Sequence, residues 1–394
     1  MKHAAFLLAT ASAIRGGLAQ VRVPPGFAPG VKWQIVIQNT IDVTAPLEPA
    51  DAVVWDVDLY HVARTPEIVD YLRAANPDRV VLCYFNAGLA QTSDCDYAAR
   101  WAGSGLLGNV YGAAEPRFDD ERWVDVRNRT ARDRIKQRIT LARDLGCDGV
   151  DPDNVDGWYI DEDDGGGGGG GGTGWGLSRA DYVSFVRELA AHAHGLTTAR
   201  GYTLLMGHKN APELVGEVGD LLDFAVLEDC KSLNRKDDGP FCREFRRYVE
   251  RGRPVFSIEY PSTLGDPETG ACRAGGASGA QYEAACEAGA AAGNLGFSTV
   301  LKIRGGVGEL NGCAQYCDGR RPGTGVVVTA TDPERDGGEC PPEATEPGEG
   351  QVRGGDGDGQ SGAAGSLDAS LIKLPGLLAL LLALCSLPLR FIMQ

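Results

Sequence analysis

The sequence predicts an α/β fold, a closed (β/α)8 TIM barrel followed by a disordered C-terminal stalk. Three observations lead there. Eight short apolar runs recur between residues 33 and 303, and segments with helical periodicity separate most of them. Strands alternating with helices build parallel sheet through right-handed crossovers, and eight such units over about 270 residues suit a closed barrel. No GxGxxG follows the first run, so the usual signal of an open doubly wound sheet is missing. From about 329 to 370 the chain turns to Gly, Glu, Asp, Pro and Ser with few apolar residues, a composition that cannot bury a core.

The elements follow in order. Residues 1–19 have a basic start, a short apolar core and small residues at Ala11, Ser12 and Ala13, and read as a secretory signal peptide. The barrel is expected over 20–328. Its first run is WQIVIQ (33–38), and its second is AVVWDVDL (52–59). A helix should follow, with Thr65 as N-cap, Pro66 at the first position and Ile68 and Leu72 on one face. RVVLCYFNAG (79–88) is the third run. A long connection containing WVDVR (123–127) leads to a helix over about 130–145, with Ile135, Ile139 and Leu145 at helical spacing. CDGVDPDN (147–154) is the fourth.

Next comes an insertion at 161–176 containing eight consecutive glycines, which reads as a flexible low-complexity loop. Ser178 then caps a helix that stops at Gly195. TLLMGHKN (203–210), FAVLEDC (224–230), PVFSIEY (254–260) and FSTVLKI (297–303) complete the eight. Helices are expected at 213–218, 242–252 and 282–292 between them.

At the C-terminus, residues 374–393 are apolar apart from Arg390 and follow small residues and a polar spacer. With the segment 371–394 this reads as a GPI attachment signal, and a single transmembrane anchor is the alternative. The expected location is the outer cell surface, with membrane contact only through a lipid anchor. Ten cysteines precede that tail, an even number, and in a secreted chain they are expected to form disulfides. Cys83 with Cys95 and Cys230 with Cys242 are the natural neighbour pairs. Asn128-Arg129-Thr130 is an acceptor site for N-glycosylation. The formal net charge of -16 argues against nucleic acid and anionic membrane as partners. HExxH and CxxC are absent, no calcium loop fits around Asp151, and no cofactor or metal is expected. The chain is expected to act as a monomer.

In a barrel of this kind, function sits where strands end. Those ends are unusually polar here. They carry Gln38, Asp56, Asp58, Tyr84, Asn86, Asp151, Asp153, Lys209, Asn210, Glu228, Glu259, Tyr260 and Lys302, with Asp125, Asn154 and Asp156 on adjoining turns. Any one of them has an ordinary structural explanation. Converging on one mouth, they make a cup suited to a hydroxylated substrate. Asp151 and Asp153 are two apart and project to the same side of an extended strand. Glu228 ends the sixth strand, with Asp229 expected to point the other way. A carboxyl pair across one bond is the requirement of glycoside hydrolysis, with Glu228 as acid and an aspartate as nucleophile or base.

WQIVIQ, WDVDL, VVLCYFNAG, WVDVR, GCDGVDPDNVDGW, HKN, the Glu228-Asp229-Cys230 turn and GFSTVLK occur in one order over residues 33–302. In this the chain resembles glycoside hydrolase family 114, secreted endo-α-1,4-polygalactosaminidase-like proteins with a TIM barrel. The resemblance implies Asp153 or Asp151 and Glu228 as the catalytic pair. It also implies cleavage within a chain of α-1,4-linked galactosamine, a polysaccharide that is cationic where deacetylated. The turn after strand six departs from the family pattern, which is usually uncharged there; Asp229 adds a carboxylate. A surface polysaccharide-binding barrel and an α-galactosidase-type hydrolase are the alternatives.

Overall fold

The computed structural model describes residues 21–111, 120–163, 172–231, 241–289, 293–325, 327–328 and 340. The leader, the glycine run up to residue 171, the stalk apart from Cys340, and the hydrophobic tail lie outside the described residues. Eight parallel strands form where the apolar runs stand: β1 Trp33–Val36, β2 Val54–Asp58, β3 Val80–Asn86, β4 Gly149–Asp153, β5 Leu205–Lys209, β6 Phe224–Glu228, β7 Val255–Glu259 and β8 Ser298–Leu301. They neighbour one another in chain order. This is the TIM-barrel order that the alternation of strands and helices predicts.

Strand alternation sorts the side chains. Val54, Val80, Leu82, Leu205, Phe224, Val226, Phe256, Ile258 and Val300 fill one apolar cluster, which is the barrel lumen. Trp55, Val57, Val81, Cys83, Phe85, Val150, Met206, Ala225 and Leu227, their alternates, belong to the outer cluster under the helices.

The helices agree with the sequence pattern apart from four details. Leu59–Arg64 is an additional helix, α1, because the Asp58 carboxylate accepts from the amides of Tyr60 and His61 and so caps its start. Thr65 ends α1, and the expected helix begins one residue late, as α2 Glu67–Ala74, with Pro66 before it. α3 Arg129–Asp144 is capped by Asn128, and α4 Trp158–Asp163 is a second addition, after β4. α5 Arg179–His194 carries a complete capping box between Ser178 and Asp181. α6 Val215–Val218 and α7 Cys242–Glu250 lie where expected, but α8 Gly279–Cys286 is earlier than the Gly/Ala-rich stretch suggested. The connection from β1 to β2 holds no helix.

A ninth strand, β9 Cys313–Tyr316, runs antiparallel to β8 at the seam of the barrel. Its neighbourhood reaches β1. The Ile37 amide donates to the Leu310 carbonyl at 3.0 Å, and the Tyr316 hydroxyl to the Trp33 carbonyl at 2.9 Å. Lys302 stitches this seam. Its fully buried ammonium donates to Gln34 Oε1 (2.9 Å) and to the carbonyls of Asn311 (2.6 Å) and Cys313 (3.2 Å). Burial holds its pKa well below the ordinary lysine range. The expectation that Lys302 serves the mouth is therefore corrected: it faces into the seam. Lys302→Met strands three acceptors and should cost about 2–3 kcal/mol of stability. Urea unfolding checks this, and an unchanged midpoint would refute the stitch.

All ten cysteines pair. The bridges are Cys83–Cys147, Cys95–Cys340, Cys230–Cys242, Cys272–Cys313 and Cys286–Cys317. The expected Cys83–Cys95 pair is replaced. Cys83 faces outward from β3, where Cys147, just before the adjacent β4, is its spatial neighbour. Cys95 instead ties down Cys340, inside the region read as stalk.

Candidate active site

The polar strand ends continue the lumen side of the alternation. Directly above the apolar lumen lie Asp56, Asp151 and Lys209, with Tyr84, Asp153, Glu228 and Tyr260 at the next level. Above them opens a cavity of about 660 Å³, a size usual for a small-molecule or oligosaccharide site.

Lys209 is the hub. Its ammonium, only 1% exposed, lies 3.3 Å from Asp153 Oδ2, 3.7 Å from Asp151 Oδ2 and 3.7 Å from Glu228 Oε2. It also sits 5.0 Å over the Tyr84 ring. Burial opposes its charge, but the carboxylates of Asp153, Asp151, Glu228 and Asp56 outweigh burial and hold the ammonium above the ordinary lysine range. The same hub brings the Asp153 and Glu228 oxygens to no more than about 7 Å from each other, the sum of their two distances to it.

Each of these two carboxylates also accepts from a phenol. The Tyr84 hydroxyl donates to Asp153 Oδ2 at 2.9 Å, and the Tyr260 hydroxyl donates to Glu228 Oε1. Asp153 Oδ1 takes the Asn154 amide at 2.6 Å, made possible by a left-handed Asn154 (φ 58°). That turn needs Gly88 opposite it, because a Cβ there would overlap the Asn154 carbonyl oxygen.

Asp151 and Asp56 form the floor. Both are fully buried, and among the described residues no donor hydrogen-bonds to their oxygens, the Lys209 ammonium standing 3.7 Å from Asp151 Oδ2. Two carboxylates buried together each disfavour ionisation of the other. Burial, opposed by Lys209, pushes Asp151 up to about 7. Burial and then the charge of Asp151 push Asp56 well above the usual range. Neither lines the cavity. Of the two aspartates of β4, Asp153 is the one open to the cavity.

The remaining residues separate clearly. Gln38, Asp58, Asn154, Asp156 and Asn210 line the cavity. Asn210 also fixes β6, accepting the Glu228 amide at 2.9 Å. Asn86 is buried below the rim, where its Oδ1 accepts from the Asn154 side-chain amide. Two placements at the mouth are corrected. Glu259 stands between Ile258 and Tyr260, so alternation turns it outward. It packs by the Cys230–Cys242 bridge, takes the Ser257 hydroxyl at 3.1 Å, and burial pushes it up to about 8. Asp125 is spent in the turn before α3, held by Arg127 Nε at 3.0 Å.

Sequence reasoning missed one wall on each side. Gln91 and Glu121 come from a small antiparallel sheet (Leu89–Gln91, Leu107–Val110, Glu121–Val124) inserted between β3 and α3, and Tyr111 follows its edge strand Leu107–Val110. The length of that connection after a strand end was the available signal. Trp175 and Thr173, beyond the glycine run, pack on this sheet: Trp175 Nε1 donates to the Trp123 carbonyl at 3.2 Å, and Asp161 accepts from Thr173. Arg304, Val307 and Glu309 supply the opposite wall after β8. Asp229, expected to point away, lines the cavity too. Its left-handed backbone (φ 56°) breaks the alternation after β6, and its carboxylate pairs with Arg304.

The sequence profile of glycoside-hydrolase family GH114 matches residues 17–321. Among solved structures, Aspergillus fumigatus Ega3 in complex with galactosamine is 30% identical, with a TM-score of 0.56, covering 74% of this chain and 96% of that one. The glycoside hydrolase domain of Pseudomonas aeruginosa PelA is 14% identical, with a TM-score of 0.46, covering 71% of this chain and 96% of that one. Among curated proteins none matches. Fold, profile and the carboxylate-lined cavity agree: this chain is a polysaccharide hydrolase that belongs to glycoside hydrolase family GH114.

Proposed function

We propose that the enzyme cleaves internal α-1,4-galactosaminidic bonds of a cationic, galactosamine-containing polysaccharide. The charge of the cavity carries this reading. Seven carboxylates line it (Asp58, Glu121, Asp153, Asp156, Glu228, Asp229 and Glu309), and Arg304 is the sole cation among the described lining residues. A field of that sign concentrates ammonium groups and repels acidic polymers. The galactosamine held by Ega3 points the same way. In this reading, Glu228 protonates the departing glycosidic oxygen, and Asp153 attacks the anomeric carbon or activates water against it. Tyr260 and Tyr84 hold the two carboxyl groups in place.

The test is product analysis. The barrel portion should release oligosaccharides from deacetylated α-1,4-galactosaminoglycan and leave an uncharged α-galactan intact. Cleavage of the neutral polymer at an equal rate would favour the α-galactosidase-type alternative. Retention of the cationic polymer without cleavage would favour a binding barrel.

The same proposal sets the enzyme at work outside the cell on a lipid tether. Five disulfides support an oxidising compartment. Removal of residues 374–394 should then put the activity into the medium or retain it in the secretory pathway. Undiminished surface attachment would discard the tether.

A further inference from the structure

Arg304 gives the cavity a second character. Its side chain is 46% exposed, whereas that of its ion-pair partner Asp229 is 2% exposed. The carboxylate therefore lies behind, and the guanidinium is what a substrate meets. Its position is fixed. The guanidinium carbon lies 4.7 Å over the Tyr260 ring, and the Tyr260 hydroxyl donates to Glu228. This puts a planar cation beside one member of the carboxylate pair.

A guanidinium offers five N–H donors and no acceptor. Its pairing with Asp229 leaves donors directed to the cavity. Such a group repels the ammonium of a free amino sugar and bonds well to a carbonyl oxygen. An N-acetylated unit is uncharged and carries that oxygen. The rest of the cavity, lined by carboxylates, has the opposite preference.

We propose that Arg304, held by Asp229 and Tyr260, forms a subsite on the Glu228 side that selects an N-acetylated sugar unit over one with a free amine. The proposal rests on the galactosamine reading above. Asp229 is the latent opposite of Arg304: with the guanidinium gone, its carboxylate meets the substrate and favours an ammonium. Discrimination here comes from a repulsive element as much as an attractive one.

Two variants with opposite signs test it. The native enzyme, given partly N-acetylated α-1,4-galactosaminoglycan, should leave oligosaccharides whose acetylated unit sits at one fixed position from the new end, read by tandem mass spectrometry. Arg304→Gln should lose that bias. It should also raise kcat/KM for the fully deacetylated polymer, relative to the partly acetylated one, by about tenfold. Asp229→Asn, which leaves the guanidinium uncompensated, should move the same ratio the other way. A merely structural pair would move both polymers by one factor in both variants. That result, or a random acetyl position in the native products, overturns the subsite while leaving the galactosamine reading standing. If the native enzyme cuts neither polymer, both fall together.

Discussion

Asp153→Asn and Glu228→Gln, made separately, are each expected to lower kcat by about 10³-fold while the barrel stays folded. Both carboxylates are partly open to the cavity, with side-chain exposures of 17% and 27%. Amide replacements keep the size and the hydrogen bonds that Tyr84 and Tyr260 donate. In the proposed mechanism, what is lost is the charge that Asp153 contributes and the proton that Glu228 gives and takes back. The double variant should be little worse than either single one, because groups that act on one bond fail as a unit. Steady-state kinetics on the polymer with a parallel thermal melt decide the matter. Native kcat in either variant would remove that residue from the mechanism. Asp151→Asn is the informative contrast: Asp151 is sealed beneath Lys209, so its loss acts through Lys209 and not on substrate.

Lys209→Met should have the second largest effect, and on two quantities at once. The ammonium is the shared counter-charge of Asp151, Asp153 and Glu228. Without it three negative groups face each other with two phenols for company. Breaking a buried ion pair by removing one partner costs about 3–5 kcal/mol, so the melting temperature should fall. Turnover should fall as well, because the cation that stands 3.3 Å from Asp153 and 3.7 Å from Glu228 and holds the two carboxylates together is gone. Steady-state kinetics beside a thermal melt read both quantities. An unchanged kcat in a variant that still folds would show that Lys209 is only a packing element.

Electrostatics also explains how the departure in the strand-six turn is tolerated. Asp229 adds a negative charge directly after Glu228. Arg304 neutralises it.

The sequence by itself determined the strands, their parallel order and the side of each strand that carries chemistry. The reason is that these are local properties. An apolar run flanked by capped helices makes a barrel strand, and a period of two decides what faces in. Asp56, Tyr84, Asp151, Asp153, Lys209, Glu228 and Tyr260 could all be read this way, and Glu259 should have been excluded by the same rule. Tertiary structure alone decided the rest, because it depends on distances between elements remote in sequence. Lys209 had to be brought 56 residues back along the chain to meet Asp153. Cys95 crossed 245 residues to Cys340. Asp229 left the alternation through one left-handed residue, and Arg304, from the loop after the last parallel strand, arrived to pair with it. Which aspartate of the fourth strand opens to the cavity was settled by depth: two residues of rise along the strand separate Asp151, sealed on the floor, from Asp153, which lines the cavity.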